Sequence, residues 1–114
     1  MNELDQTWFE DMASYGRDAI EFLGSADAAS LAADKRTRYA LIRAVEIVGE
    51  AANKVSAAGK AELQDIAWRD IVGMRNNLVY GYRGVDLQLL IQVVREYLPS
   101  LVKRLEELLG EDPA

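Results

Sequence analysis

Arg75 and Tyr82 stand seven positions apart, on nearly the same side of any helix that runs through both. Asn76 and Asn77 follow the arginine, although asparagine is a poor helix former. Gly81 and Gly84 bracket Tyr82-Arg83 and allow the backbone to come close to a bound group. Arg75 and Arg83 suit phosphate, because a guanidinium offers forked donors to its oxygens. Tyr80 and Tyr82 could stack on bases. A second reading stays open: Arg75 pairs with Glu46 or Glu50 across a helical bundle, and the tyrosines belong to the core.

The rest of the composition narrows the chemistry. The 114 residues contain neither histidine nor cysteine. Disulfides and thiolate metal sites are therefore excluded, and so is the commonest general base near neutral pH. A metal site would need oxygen ligands alone, and no loop is spaced for one. The expectation is no metal and no cofactor. The net charge of −6 argues against broad, charge-driven nucleic-acid binding but leaves RNA open as a transient substrate. The N-terminus lacks the basic-then-apolar pattern of a signal peptide, and no apolar run approaches ~18 residues. A cytoplasmic protein without membrane contact is the expectation.

These residues need helices to hold them. Ala, Leu, Glu, Arg and Lys dominate, and the length suits a single domain over residues 1–110. Leu4, Trp8, Met12, Tyr15, Ala19 and Phe22 predict the apolar face of a first helix that ends at Gly24-Ser25. Residues 26–33 read as a short helical turn or a loop. Asp34 is the expected N-cap of a second helix over about 35–56, with a core stripe of Leu41, Val45, Val48, Ala52 and Val55. A parallel stripe, Arg43, Glu46, Glu50 and Asn53, is polar throughout. Its bland reading is a solvated face with internal ion pairs; its sharper reading is a face turned toward a site or a partner subunit.

Residues 57–60 read as a connector, with a helical turn at 61–64. Trp68 opens a third helix that reaches about Val79. Asp86 caps the last, whose stripe Leu87, Leu90, Val94, Leu98, Leu101, Leu105 and Leu108 is interrupted by Pro99. The proline lacks the N–H that would bond back to residue 95, so a kink or a second segment is expected. Part of this leucine stripe could face another subunit. Residues 111–114 should fray. The sum is an all-α antiparallel bundle of four main helices.

The stretch Ile66-Ala67-Trp68-Arg69-Asp70-Ile71-Val72-Gly73-Met74-Arg75-Asn76-Asn77-Leu78-Val79-Tyr80-Gly81-Tyr82 resembles the signature region of the HepT-like proteins of the HEPN superfamily. That pattern runs Trp-Arg-x-Ile-x-Gly-x-Arg-Asn-x-Leu-x-His-x-Tyr. Ala44-Val45-Glu46-Ile47-Val48-Gly49-Glu50-Ala51-Ala52 resembles a second family segment, and Val85-Asp86 and Leu98-Pro99 fit as well. The resemblance covers most of the chain. It implies the toxin of a two-gene toxin–antitoxin system, a homodimer, and a metal-independent ribonuclease. It also implies a small nucleotidyltransferase antitoxin that attaches AMP to the motif's last tyrosine. Carried over, Arg75 binds or polarises the scissile phosphate, Asn76 supports it, and Tyr82 is the modified residue. A polar residue of the second helix is expected near the motif, with Glu50 and Asn53 as candidates.

Tyr80 departs from that pattern, where the family carries histidine as acid or base. A phenol with pKa ~10 is a poor base at neutral pH. No histidine elsewhere can substitute. The expectation is a weak or inactive nuclease that keeps its fold, dimer and partner. A single-base codon change separates histidine from tyrosine. Residue 80 is thus either an inactivating replacement or the mark of a member turned to binding. A non-catalytic dimeric interaction module and a plain nucleotide-binding domain are the competing functions.

Overall fold

The computed structural model describes residues 2–73 and 86–110. Among these residues every regular element is helical, so the fold is the all-α bundle that the periodicity predicts. Helix α1 spans Glu3–Leu23 and opens on Asn2, whose side chain accepts the Asp5 N–H at 2.7 Å. It ends at Gly24, with φ of 51°, where the Gly24 N–H still reaches the Ile20 carbonyl. The positive φ is the reason glycine stops this helix.

The apolar face of α1 is rotated from the predicted one. Met12 and Ala19 turn inward as predicted, but they are joined by Phe9, Ala13, Gly16 and Leu23. Leu4 is 68% exposed and Phe22 41%, while Trp8 and Tyr15 are only partly buried. The sequence offers two overlapping lines at three- and four-residue spacing, and the large side chains favour the wrong one. The small residues decide. A Cβ on Gly16 would stand 2.7 Å from Val102 Cγ2, so α1 meets the last helix where it has least bulk.

Helix α2, Ala28–Ala33, is closed by a reciprocal Asp27–Ser30 capping box. Asp34 then caps α3, Lys35–Lys54, through the Thr37 N–H at 3.1 Å. Leu41, Val45, Val48, Ala52 and Val55 are all buried, as their spacing predicts. The α1–α3 pair is the most extensive in the bundle.

The segment predicted as a connector is helix α4, Ala57–Glu62. Ser56 starts it by accepting the Gly59 N–H at 3.0 Å. The predicted turn at 61–64 thus falls at the end of this helix, four residues later than its true start. Residues 68–73 are again helical, from Trp68 as predicted, and are called α5 here. The predicted continuation of α5 toward Val79 lies outside the described residues. Trp68 donates Nε1–H to the Leu63 carbonyl at 3.0 Å and packs beside Phe9.

Asp86 caps α6, Leu87–Gln92, by accepting the Leu89 N–H at 3.1 Å. A π-helical turn, Val93–Tyr97, joins it to α7, Leu98–Leu109. Pro99 explains the wide turn. It cannot donate to residue 95, and the Leu98 N–H shifts to the Val93 carbonyl. Leu90, Val94, Leu98, Leu101 and Leu105 are buried inside the chain's own core. Leu87 and Leu108, toward the two ends of the stripe, are only partly buried and pack against the edge of that core. Gly110 closes α7 in the left-handed region; the predicted frayed tail, 111–114, lies outside the described residues.

Candidate functional site

Arg75, Asn76, Tyr80 and Tyr82 lie in the segment 74–85, outside the described residues. The structure defines what stands on either side of that segment. Before it, α5 is held by buried Ile71 and by Trp68 against Phe9. After it, Asp86 fixes the start of α6 by its capping bond.

Glu50 and Asn53 sit about one turn apart on the outward face of α3. The polar stripe is internally paired: Arg43 Nη1 lies 3.2 Å from Glu46 and 3.3 Å from Glu50. The Glu46 hydrogen bond, followed by the Glu50 charge, raises the Arg43 pKa. These are the internal ion pairs of the bland reading. Exposed pairs of this kind contribute ~0.2–1 kcal/mol. Asn53 is exposed and makes no side-chain hydrogen bond among the described residues. The structure therefore brings Glu50 to Arg43 and Glu46. Asn53 is left accessible.

Two features escaped the sequence reading. The first is a cavity of about 410 Å³ beside α5, lined in part by Asp70, Ile71, Val93 and Tyr97. Burial pushes the Tyr97 phenol up; a backbone hydrogen bond from Ala67 acts against it, and the Asp70 charge adds to the rise. The available signal was position: Tyr97 immediately precedes Leu98-Pro99, where the helix has to widen. The second is Asp5, which is 3% exposed and accepts the Ser56 N–H at 2.9 Å and also the Ser56 hydroxyl. The two residues are 51 positions apart, too far for spacing to reveal. Among the described residues no three His, Cys, Asp or Glu side chains are grouped to hold a metal ion. No helix among them is long and apolar enough to cross a membrane.

The profile of the Ribonuclease HepT-like family matches residues 12–108, a span that includes α3, the segment 74–85 and most of α7. The chain belongs to the HepT-like family. Within it, "Putative RNase MJ1380" of Methanocaldococcus jannaschii is 35% identical over 96 residues, covering 84% of this chain and 88% of that one. "Probable ribonuclease HepT" of Thermococcus cleftensis is 34% identical over 108 residues, covering 95% and 98%. "Putative RNase MJ0125" of Methanocaldococcus jannaschii is 29% identical over 101 residues, covering 89% and 87%. No solved structure matches this HepT-like chain. Its helical bundle is thus that of a HEPN-superfamily protein on grounds of sequence kinship and helix content together.

Proposed function

We propose that this HepT-like chain is the toxin of a two-gene toxin–antitoxin pair, acting in the cytoplasm as a metal-independent endoribonuclease. The family match over 12–108, which contains Arg75 through Tyr82, carries this reading. Arg75 holds and polarises the scissile phosphate, Asn76 supports it, and the side chain at position 80 moves the proton of the attacking 2′-hydroxyl. Glu50 and Asn53 are the supporting polar residues on α3. Two copies of the chain form the working dimer. A small nucleotidyltransferase antitoxin silences it by attaching AMP to Tyr82.

Tyr80 sets the expected activity. Losing a positioned acid–base group costs ~10²–10⁴-fold, so the chain cuts RNA weakly or not at all. The same observation favours a second reading, a non-catalytic dimer that binds and is modified by its partner. A nucleotidyltransferase gene found beside this one would support both readings against a plain nucleotide-binding domain.

The test is Tyr80→His, assayed on RNA with a metal chelator present and by growth without the antitoxin. The toxin reading expects cleavage to rise by at least ~10²-fold and growth to slow. A Tyr80→His protein that neither cleaves RNA nor slows growth overturns it.

A further inference from the structure

The start of α3 is charged against the field of its own backbone. Lys35, Arg36 and Arg38 occupy the beginning of the helix, and its first turn holds no acidic residue. The N-terminal end of a helix is already positive, so cations there are disfavoured unless an anion joins them. These three are among thirteen cations in a chain of net charge −6, yet they fall within four positions. Asp34, the N-cap, supplies one such anion: its carboxylate accepts the Thr37 N–H at 3.1 Å and the Thr37 hydroxyl at 2.7 Å and also feels the Arg36 charge, so a single carboxylate stands against three cations.

An exposed aromatic ring lies among these charges. Tyr39 is 58% exposed. Lys35 Nζ stands 5.5 Å from its ring centre and Arg38 Cζ 5.6 Å. Arg38 is itself fixed on the Leu31 and Ala32 carbonyls, at 3.0 and 2.8 Å. Arg36 makes no side-chain hydrogen bond or ion pair among the described residues, although its charge reaches Asp34. It lines a cavity of about 370 Å³ with Phe22 and Glu21.

We propose that Lys35, Arg36 and Tyr39 form a subsite for one nucleotide of single-stranded RNA. The base stacks on Tyr39, and Lys35 and Arg36 hold the adjoining phosphates. Aromatic faces accept any unpaired base, and neighbouring cations take the backbone. The proposal rests on the ribonuclease reading for its choice of RNA. It extends the RNA along the outer face of α3, from Asn53 to Tyr39, roughly 21 Å at 1.5 Å per residue. A merely solvated basic turn would show the same charges without selecting single strands.

The test measures fluorescence anisotropy of the full chain with a labelled oligouridylate of about 12 nucleotides. Tyr39→Ala should weaken binding about tenfold, within the range for one stacked base, while Tyr39→Phe should keep the affinity. Two phosphate contacts give a salt slope of about −1.4, and Arg36→Ala should bring it to about −0.7. A duplex of matching length should bind more weakly than the single strand.

Tyr39→Ala and Arg36→Ala proteins that remain folded and bind within twofold of the parent overturn the proposal. So does equal affinity for duplex, or no binding by the parent. Binding is read without cleavage, so this outcome is separate from that of Tyr80→His. Restored cleavage with unaltered binding in the Tyr39 and Arg36 variants would remove the subsite and leave the ribonuclease. Tyr39-dependent binding without restored cleavage would do the reverse.

Discussion

Gly59→Ala is expected to destabilise the chain, against the ordinary preference of a helix for alanine. Gly59 is in the first turn of α4, where alanine normally gains up to ~1 kcal/mol over glycine. Here an added Cβ would lie 2.5 Å from Asp5 Oδ2 and 2.9 Å from Val55 Cγ1. Carbon atoms sit comfortably at ~3.5–4.0 Å, so both neighbours have to move. Val55 is stiff at χ1 and buried. Asp5 is held in place by the Ser56 N–H and hydroxyl, so displacing it also strips a backbone donor of its acceptor. Overpacking costs ~1–3 kcal/mol, and the lost hydrogen bond adds ~1 kcal/mol. Set against the helix gain, the net loss is ~2 kcal/mol. For a domain of this size that lowers Tm by about 10 °C. Thermal and urea unfolding followed by circular dichroism at pH 7 would measure it. In an Asp5→Ala background the same substitution should cost less, because one of the two obstacles is gone. An unchanged or raised Tm for Gly59→Ala would refute the close approach of α1 to α4.

Acid should weaken the same junction. Hydrogen bonds from Ser56 hold the Asp5 carboxyl below its usual range. A group with a lowered folded pKa stabilises fully above its unfolded value, about 3.9, and loses that contribution as pH falls through the folded value. Tm should therefore drop below about pH 4, and Asp5→Asn should lower Tm at pH 7 while flattening that acid limb; an equally steep limb would argue against the assignment. Co-expression with the cognate nucleotidyltransferase should add adenylyl mass to the chain. The Tyr82→Phe protein should stay unmodified in the same experiment, and modification elsewhere would overturn the role given to Tyr82.

Legibility in the sequence followed the range of the forces involved. Asp34 and Asp86 could be read as caps because a cap acts over three residues. The α3 stripe could be read because its inward residues are large and its outward ones charged. Pro99 announced a break because its defect is its own missing donor. The phase of α1 could not be read, since Ala13 and Gly16 act through what they lack in bulk, which only the facing helix reveals. Helix α4 was hidden in an Ala-Gly run whose cap, Ser56, is held by a residue 51 positions away. Of the candidate site, the bare spacing showed an arginine with tyrosines and glycines. The roles proposed for Arg75, Asn76, Tyr80 and Tyr82 rest on kinship, since no periodicity distinguishes a catalytic arginine from a paired one.

An acidic protein that handles RNA has to do so by contact rather than by long-range attraction. At physiological salt, charges more than about 8 Å apart are largely screened, so the net −6 repels a polyanion only weakly at the distance where contacts form. Local pairing then decides which cations remain available. On α3, Arg43 is committed to Glu46 and Glu50, which leaves the middle of the outer face with one carboxylate in excess. Lys35 and Arg36, about two turns earlier, make no carboxylate ion pair among the described residues, although the Arg36 charge reaches Asp34. The outer face of α3 is thus graded from basic at Lys35 and Arg36 to mildly acidic near Glu50. A strand bound there would meet its strongest phosphate contacts away from the Glu50 end, with Tyr39 beside them. Few contacts mean a shallow salt dependence, and that separates this mode from the steep, charge-driven binding of basic nucleic-acid proteins.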